Sequence, residues 1–306
     1  MTSAPVTAAA AGTWQLGDRT VNRIGFGAMR LTSNADGTPS DRSRVITVLR
    51  RAIELGVNHI DTAAFYFSPL RSANELINTA LAPYPDDLVI TTKVTSGPGT
   101  SSGAAPDQLR GQVEENLRQL GRDHLDVVNL RRVGKAEPFA EDFAVLAGLQ
   151  AAGLIRHLGI SAVRPEHLAE AQAIAPVICV QNRYSIDSRR EYEDEFLRAC
   201  GQQGIAFVPY FAIAGEGREA GAGRGAAADR EAGAGGAGHE RDEVIAVARA
   251  HGATPAQVRL AWTLQQGPHV LAIPGTGNPD HLAANVAAGA LRLSPGELAR
   301  LGSLTG

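Results

Sequence analysis

The chain has 306 residues, of which 44% are hydrophobic and 20% are charged, a composition typical of a globular protein with a sizeable core. Its formal net charge of −3 gives no reason to expect a nucleic acid or an anionic membrane as a partner. The two cysteines, Cys179 and Cys200, form no CxxC pair, which favours two buried thiols in a reducing compartment over a cysteine-based metal motif.

The first twelve residues are small and apolar and lack the basic region of a signal peptide. No stretch of the chain reaches the ~20 apolar residues that a membrane-spanning helix needs. We therefore expect residues 1–12 to be a disordered tail, residues 13–306 to form a single domain, and the protein to be cytoplasmic. Nothing in the sequence indicates an oligomeric state.

After a predicted hairpin at residues 13–22, short apolar runs alternate with amphipathic helical patterns. Unbroken apolar runs are typical of parallel strands that are covered on both faces. Several helical patterns end at a glycine just before the next run, which is the C-cap signal of a helix-to-strand loop. The apolar runs are near residues 24–29, 58–61, 88–93, 125–130, 155–160, 177–181, 205–210 and 269–273.

Eight such units predict an α/β protein of the (β/α)8 TIM-barrel type. The alternative is a doubly wound open sheet, which is weakened because no GxGxxG motif follows the first run. Residues 214–238 are rich in Gly and Ala and follow the seventh run. We expect them to form a mobile lid at the catalytic end of the barrel, with an inert low-complexity insertion as the alternative.

Four polar residues follow the ends of three successive runs: Asp61, Tyr66, Lys93 and Arg131. In a parallel α/β barrel the C-terminal ends of the strands form the catalytic rim. An ammonium group near a phenol lowers its pKa from ~10, and a carboxylate keeps that ammonium charged. The set is suited to giving a proton to a developing alkoxide, while a reduced nicotinamide would supply the hydride.

Each of these residues alone has a simpler explanation, as a helix cap, a packing group or a solvated side chain. The composition strengthens the catalytic interpretation of Lys93, because the chain contains only two lysines against twenty-seven arginines. A lysine retained in so arginine-rich a chain is more often one whose titratable amine is needed.

From about Thr13 to its C-terminus the sequence resembles the aldo-keto reductases. The most specific segment is Asp61-Thr-Ala-Ala-Phe-Tyr66 with Lys93 at the next strand end. Residues 20–29, 56–61 and 125–131 are similar to a bacterial branch that includes pyridoxal reductases.

The resemblance implies a barrel that binds NADPH extended across its rim, with Asp61, Tyr66, Lys93 and Arg131 as catalytic residues. Arg131 stands where the family usually has histidine, although this branch carries the same arginine. An arginine can orient a substrate carbonyl but does not titrate near neutral pH.

The same resemblance implies the cofactor contacts. Ser161 and Gln181 are expected at the nicotinamide carboxamide, Tyr210 stacked on its ring, and Asn285 at the adenine. The full expected set adds Asp61 and the residues of three loops: Gly27, Ala28, Met29, Phe211, Ala212, Ile213, Pro274, Gly275, Thr276, Gly277 and His281.

Three departures from the family pattern affect these expectations. Ala162 replaces the usual asparagine beside the carboxamide. Gly275 and His281 stand in the loop for the 2′-phosphate where many members have Lys and Arg, so NADH is an alternative cofactor. Phe67 follows Tyr66 where glycine is common, and we expect it to narrow the substrate pocket.

We therefore predict an NADPH-dependent oxidoreductase that reduces an aldehyde or ketone, with a pyridoxal-like aldehyde or a biosynthetic ketone as substrate. The alternative is a non-catalytic regulatory barrel that binds a nicotinamide nucleotide. A glycosidase would need paired carboxylates at strand ends, which are missing here. The eight histidines show no HxH or HExxH spacing, so we expect no metal site.

Overall fold

The computed structural model describes residues 5–34, 38–95, 106–133, 139–213 and 241–304. Its main sheet has seven parallel strands, which are hydrogen-bonded side by side in the order in which they occur along the chain. The strands are β3 (Phe26–Gly27), β4 (His59–Asp61), β7 (Val89–Thr95), β8 (Leu125–Arg131), β9 (Ile155–Ser161), β10 (Val177–Gln181) and β11 (Ala206–Phe207).

The eighth apolar run closes this sheet into a barrel through two isolated parallel bridges. Val270 pairs with Phe207 of β11, and Ala272 pairs with Ile24 just before β3. The run is flanked by Pro268 and Pro274, which have no N–H group and cannot extend a ladder. The predicted (β/α)8 barrel is confirmed, with a closing segment shorter than a regular strand.

Ten helices surround the sheet in the described part of the chain. Many begin at a side-chain cap, as at Asp41, whose carboxylate accepts from the Arg44 amide at 2.7 Å. Their bounds are α1 (Arg42–Glu54), α2 (Ala73–Leu81), α3 (Pro106–Leu120), α4 (Phe139–Ala151), α5 (Pro165–Gln172), α6 (Glu191–Gln202), α7 (Asp242–Ala250), α8 (Pro255–Leu264), α9 (Pro279–Ala287) and α10 (Pro295–Gly302).

The glycines predicted to end helices adopt the left-handed conformation that this position requires. Gly56, Gly121, Gly153 and Gly204 have φ values of 82°, 64°, 82° and 71°. A side chain bearing Cβ is strained in this region, so glycine is favoured at each turn from helix to strand. The sequence signal for these four loops is therefore confirmed.

The N-terminal hairpin closes the barrel at the end opposite the rim. It consists of β1 (Thr13–Leu16) and β2 (Arg19–Asn22), paired antiparallel. Leu16 and Val21 are buried against the barrel interior, in one cluster with Val89, Val127 and Leu271. A second, shorter hairpin on the rim, β5 (Phe67–Ser68) with β6 (Arg71–Ser72), was not predicted.

The expectation of a disordered tail over residues 1–12 is wrong for its described part. Residues 8–11 form a 3-10 turn in which Ala8 and Ala11 are buried. The Ala8 amide donates to the carbonyl of Leu55 at 2.8 Å. Alanine side chains are small enough to let this backbone pack directly on the barrel, and composition alone does not reveal such packing.

The predicted mobile lid, residues 214–238, lies outside the described residues. Among the helices that are described, none is both long and apolar enough to cross a membrane. Both cysteines are free thiols and buried, as predicted.

Candidate active site

The centre of the rim is a buried ion pair between Lys93 and Asp61. The Lys93 Nζ lies 2.7 Å from both carboxylate oxygens of Asp61 and donates to the carbonyl of Thr62 at 2.9 Å. Both residues are at least 95% buried. Burial alone lowers the pKa of Lys93, but Asp61 and Tyr66 outweigh it, so the pKa is raised and the amine stays charged.

Two buried amides on other strands of the barrel support Asp61. Gln181 at the end of β10 donates through Nε2 to Asp61 Oδ2 at 2.7 Å, and Asn129 of β8 donates through Nδ2 to Gln181 Oε1 at 3.5 Å. Both amide side chains are fully buried. Sequence reasoning assigned Gln181 to the cofactor and missed this contact, because the two side chains meet across the barrel interior and their strands are not paired.

Tyr66 lies beside this ion pair. The Lys93 Nζ is 4.9 Å from the centre of the Tyr66 ring. Backbone bonds at both ends of the turn fix the tyrosine: its N–H donates to the Ala63 carbonyl and its carbonyl accepts from the Ala73 amide. The structure therefore brings together Asp61, Tyr66 and Lys93, three of the four residues that the sequence placed at or after strand ends.

The expected direction of the Tyr66 pKa is wrong. Burial raises the pKa of Tyr66 above 10, and the positive charges of Lys93 and Arg131 offset only part of that increase. Desolvation of the phenolate outweighs the ammonium because Asp61 partly neutralises Lys93. Tyr66 consequently keeps its proton at neutral pH, which is the form that a proton donor needs.

Arg131 reaches the same site through an aromatic neighbour. Its guanidinium carbon lies 5.6 Å from the centre of the Phe65 ring, and that ring meets Tyr66 edge-on with 5.2 Å between ring centres. Register places Arg131 opposite Ser161 of β9 and Thr95 of β7. Phe65 is a rim residue that sequence reasoning missed.

Phe67, expected to narrow the substrate pocket, lies on the β5–β6 hairpin directly after Tyr66. Its side chain is 68% exposed, and Leu70 at the tip of the same hairpin is 64% exposed. The structure therefore places Phe67 at the outer edge of the rim, and its contact with a substrate stays a prediction.

The residues predicted to contact the nicotinamide carboxamide lie at the ends of β9 and β10. Ser161 is buried at the end of β9, in register with Gln181. Ala162, which follows it, has a φ of 58°, in the left-handed region that asparagine tolerates better than alanine. The loss of asparagine here therefore carries backbone strain. Asn182 holds the adjacent Val163 through its side chain, with bonds of 3.0 and 2.7 Å.

The residues after β11 also reach the rim. The Tyr210 amide donates to the Asn182 carbonyl at 3.0 Å, which ties this loop to the end of β10. The Tyr210 and Phe211 rings meet edge-on, and both are partly exposed. Ala212 is buried and Ile213 partly buried, immediately before the residues that are not described.

Gly27 and Gly275 stand where the barrel closes. A Cβ on Gly27 would lie 2.5 Å from the Ile273 carbonyl oxygen, and one on Gly275 would lie 2.4 Å from the Gly27 carbonyl oxygen. The close approach of the two backbones therefore requires glycine at both positions. Ala28 and Met29 form the 3-10 turn that follows, and Pro274 is buried.

The predicted phosphate loop leads directly into α9. Asn278 caps this helix by accepting from the Asp280 amide at 2.9 Å, and Thr276 accepts from the Asn278 amide at 3.0 Å. Gly277 is partly exposed beside them, His281 is exposed, and Asn285 is buried one turn further on. A helix N-terminus with nearby loop amides is a suitable environment for a phosphate.

Comparison with known proteins identifies this arrangement. The model of the aldo/keto reductase family matches residues 23–305. The chain belongs to the aldo/keto reductase family. The predicted family, the barrel fold and the predicted oxidoreductase of the aldo-keto reductase type are therefore confirmed.

Individual proteins match along nearly the whole chain. Pyridoxine 4-dehydrogenase of Escherichia coli K12 is 41% identical over 304 residues, covering 96% of this chain and 98% of that protein. An uncharacterized oxidoreductase of Schizosaccharomyces pombe is 37% identical, covering 98% and 92%. The crystal structure of an aldo/keto reductase from Klebsiella pneumoniae, in complex with NADP and acetate, has 29% identity and a TM-score of 0.75, covering 94% of this chain and 93% of that one.

Proposed function

We propose that this enzyme reduces a pyridoxal-like aldehyde to the alcohol with NADPH, in the cytoplasm. The observation that carries the proposal is the protonated Tyr66 beside the buried Lys93–Asp61 pair at the C-terminal ends of parallel strands. The similarity to a pyridoxine 4-dehydrogenase supports the substrate class. The two buried free cysteines are in keeping with a reducing compartment.

The residues present fit a nicotinamide nucleotide. Tyr210 offers a partly exposed aromatic ring at the rim, Ser161 lies at the neighbouring strand end, and the start of α9 offers amides for a phosphate. When bound, the reduced nicotinamide supplies the hydride that no side chain of the chain can supply. The lack of a lysine or arginine at Gly275 and His281 leaves NADH as an alternative cofactor.

In the proposed reaction the side chains supply the proton and orient the carbonyl. The Tyr66 hydroxyl donates its proton to the carbonyl oxygen as negative charge develops there. Lys93 lies close enough to stabilise the resulting phenolate, and Asp61 holds the Lys93 ammonium in place. Arg131 donates hydrogen bonds to the substrate, and the neighbouring Phe65 offers an aromatic edge that suits a planar ring.

Tyr66→Phe tests this assignment. It removes the proton donor and keeps the ring, so we expect kcat for pyridoxal reduction to fall by about 10²–10⁴-fold. The dissociation constants of NADPH and NADH, measured by nicotinamide fluorescence, should stay unchanged. Wild-type turnover should decrease only at strongly alkaline pH, because the pKa of Tyr66 is raised and the phenol is the active form in reduction.

Three outcomes of this experiment are informative in different ways. Turnover retained by the Tyr66→Phe variant would contradict Tyr66 as the acid. Turnover by the wild type of other aldehydes but not of pyridoxal would contradict the substrate class alone. Nucleotide binding by the wild type without turnover of any carbonyl would favour the non-catalytic alternative.

A further inference from the structure

At the end of the barrel opposite the rim, two arginines face one cavity. The cavity has a volume of about 270 Å³ and lies between the N-terminal 3-10 turn, the end of α8 and residues 288–292. Its lining combines small and apolar side chains with Gln265, Arg23 and Arg292, and no acidic residue of the described ranges lines it. No residue predicted or proposed for catalysis or cofactor binding lines it.

Both guanidinium groups are held by backbone carbonyls. Arg23 donates to the carbonyls of Val270 (3.2 Å), Ala11 (3.1 Å), Gly267 (2.6 Å) and Leu264. Arg292 donates to those of Gly289 (2.6 Å), Leu291 (3.2 Å) and Ala10 (2.8 Å). The carbonyls of Ala10 and Ala11 are neighbours in the chain, so the two positive charges lie close together.

Among the described residues, the positive charge of this pair has no carboxylate partner. Within the described residues, neither Arg23 nor Arg292 forms an ion pair with an acidic side chain. Burial lowers the pKa of Arg23, and the positive charge of Arg292 lowers it further, which shows that the two groups repel each other. An anion placed between them would relieve that repulsion.

Hydrogen-bond donors also remain available. An arginine has five N–H groups. The contacts above use four of them in Arg23 and three in Arg292, so one and two remain. Guanidinium donors match the oxygens of a carboxylate or a phosphate in geometry and charge.

We propose that the Arg23–Arg292 cavity binds a small anion that carries a phosphate or carboxylate group. The cavity is smaller than the ~300–1,000 Å³ of sites for drug-sized ligands, so the ligand is a compact anion. Arg23 holds Val270, which is part of the segment that closes the barrel, and Gly267 just before that segment. The anion therefore strengthens barrel closure and raises the stability of the folded protein.

The test measures thermal unfolding of the enzyme saturated with NADP⁺, so that added anions do not compete at the cofactor phosphate site. Inorganic phosphate and succinate are titrated in separate arms against sodium chloride at equal ionic strength. At about ten times the dissociation constant, the effective anion should raise Tm by about 2 °C. The arm that shifts Tm identifies the phosphate or the carboxylate as the recognised group.

Arg292→Gln removes one charge from the exposed side of the cavity and should abolish the shift. The matched control is Arg249→Gln on the exposed surface of α7, which should retain it. Calorimetric titration gives the affinity directly and does not depend on variant stability. No shift with either anion beyond that of chloride, or an undiminished shift in Arg292→Gln, would overturn the proposal.

Discussion

Two adjacent layers of the barrel interior differ in whether their buried polar side chains have hydrogen-bond partners among the described residues. In the upper layer Asp61, Lys93 and Gln181 satisfy one another through hydrogen bonds of 2.7 Å. One step down the same strands, His59 and Thr91 are buried with no hydrogen-bond partner for either ring nitrogen or for the hydroxyl among the described residues. His59 and Asp61, and likewise Thr91 and Lys93, are two residues apart and so point to the same face.

In the lower layer, His59 is neutral and is held by steric fit. His59 fits because Gly25 faces it: a Cβ on Gly25 would lie 2.7 Å from His59 Nδ1. Burial lowers the pKa of His59 to about 4, so its ring is neutral at physiological pH. The comparison shows that a buried charge is retained only where partners surround it, whereas a neutral polar ring is tolerated with steric support alone.

We expect the largest loss of stability from Lys93→Met, because it leaves the Asp61 carboxylate buried without its cation. Removing one partner of a buried ion pair costs about 3–5 kcal/mol, so we expect a loss of that size in the free energy of unfolding, measured with urea. Adding Asp61→Asn should recover part of the loss, because the unpaired charge is then gone. Equal stability of the single variant Lys93→Met and the double variant would show that Asp61 and Lys93 are not electrostatically coupled.

The pH dependence of the free energy of unfolding tests the protonation state of His59 in the lower layer. Because the pKa of His59 is near 4 when folded and ~6.5 when unfolded, the unfolded chain binds the proton first as pH falls. This histidine therefore reduces wild-type stability progressively between pH 6.5 and pH 4, by about 3 kcal/mol in total.

The variant His59→Leu removes the titrating ring and keeps an apolar side chain of similar size. Its stability relative to the wild type should increase as pH falls through this range, while near pH 7 the two should be similar. The exposed His281→Asn serves as the control and should follow the wild type. Parallel pH profiles for wild type and His59→Leu would contradict a neutral, buried His59.

A smaller effect is expected when the upper layer loses one hydrogen bond from a neutral donor to the Asp61 carboxylate. Gln181→Met removes the amide donor to Asp61 and leaves the Lys93 contact intact. We expect a loss of about 1–3 kcal/mol in the free energy of unfolding. The matched control is Gln172→Met on the surface of α5, whose amide donates to the side-chain oxygen of Gln203. Equal effects of the two changes would show that Gln181 does not support Asp61.

Several features of the fold follow from local sequence. The alternation of apolar runs with helical patterns predicts the barrel, because each run and each helix has its own period and its own caps. Gly56, Gly121, Gly153 and Gly204 mark helix ends because a left-handed residue is needed there whatever the surroundings. Asp61, Lys93 and Arg131 could be assigned to one rim because parallel strands all end on the same side of a barrel.

Other features depend on contacts between distant segments. Ala8 is buried against a segment 47 positions away, and Gln181 supports Asp61 from 120 positions away. Arg23 and Arg292, which line one cavity, are 269 positions apart. The raised pKa of Tyr66 is of the same kind, because it depends on how much water the assembled rim excludes. Local sequence thus determined the order of the elements and the end of the barrel that carries the chemistry. Strand register and burial, which are set by the whole chain, decided which polar groups are paired and which protons they hold.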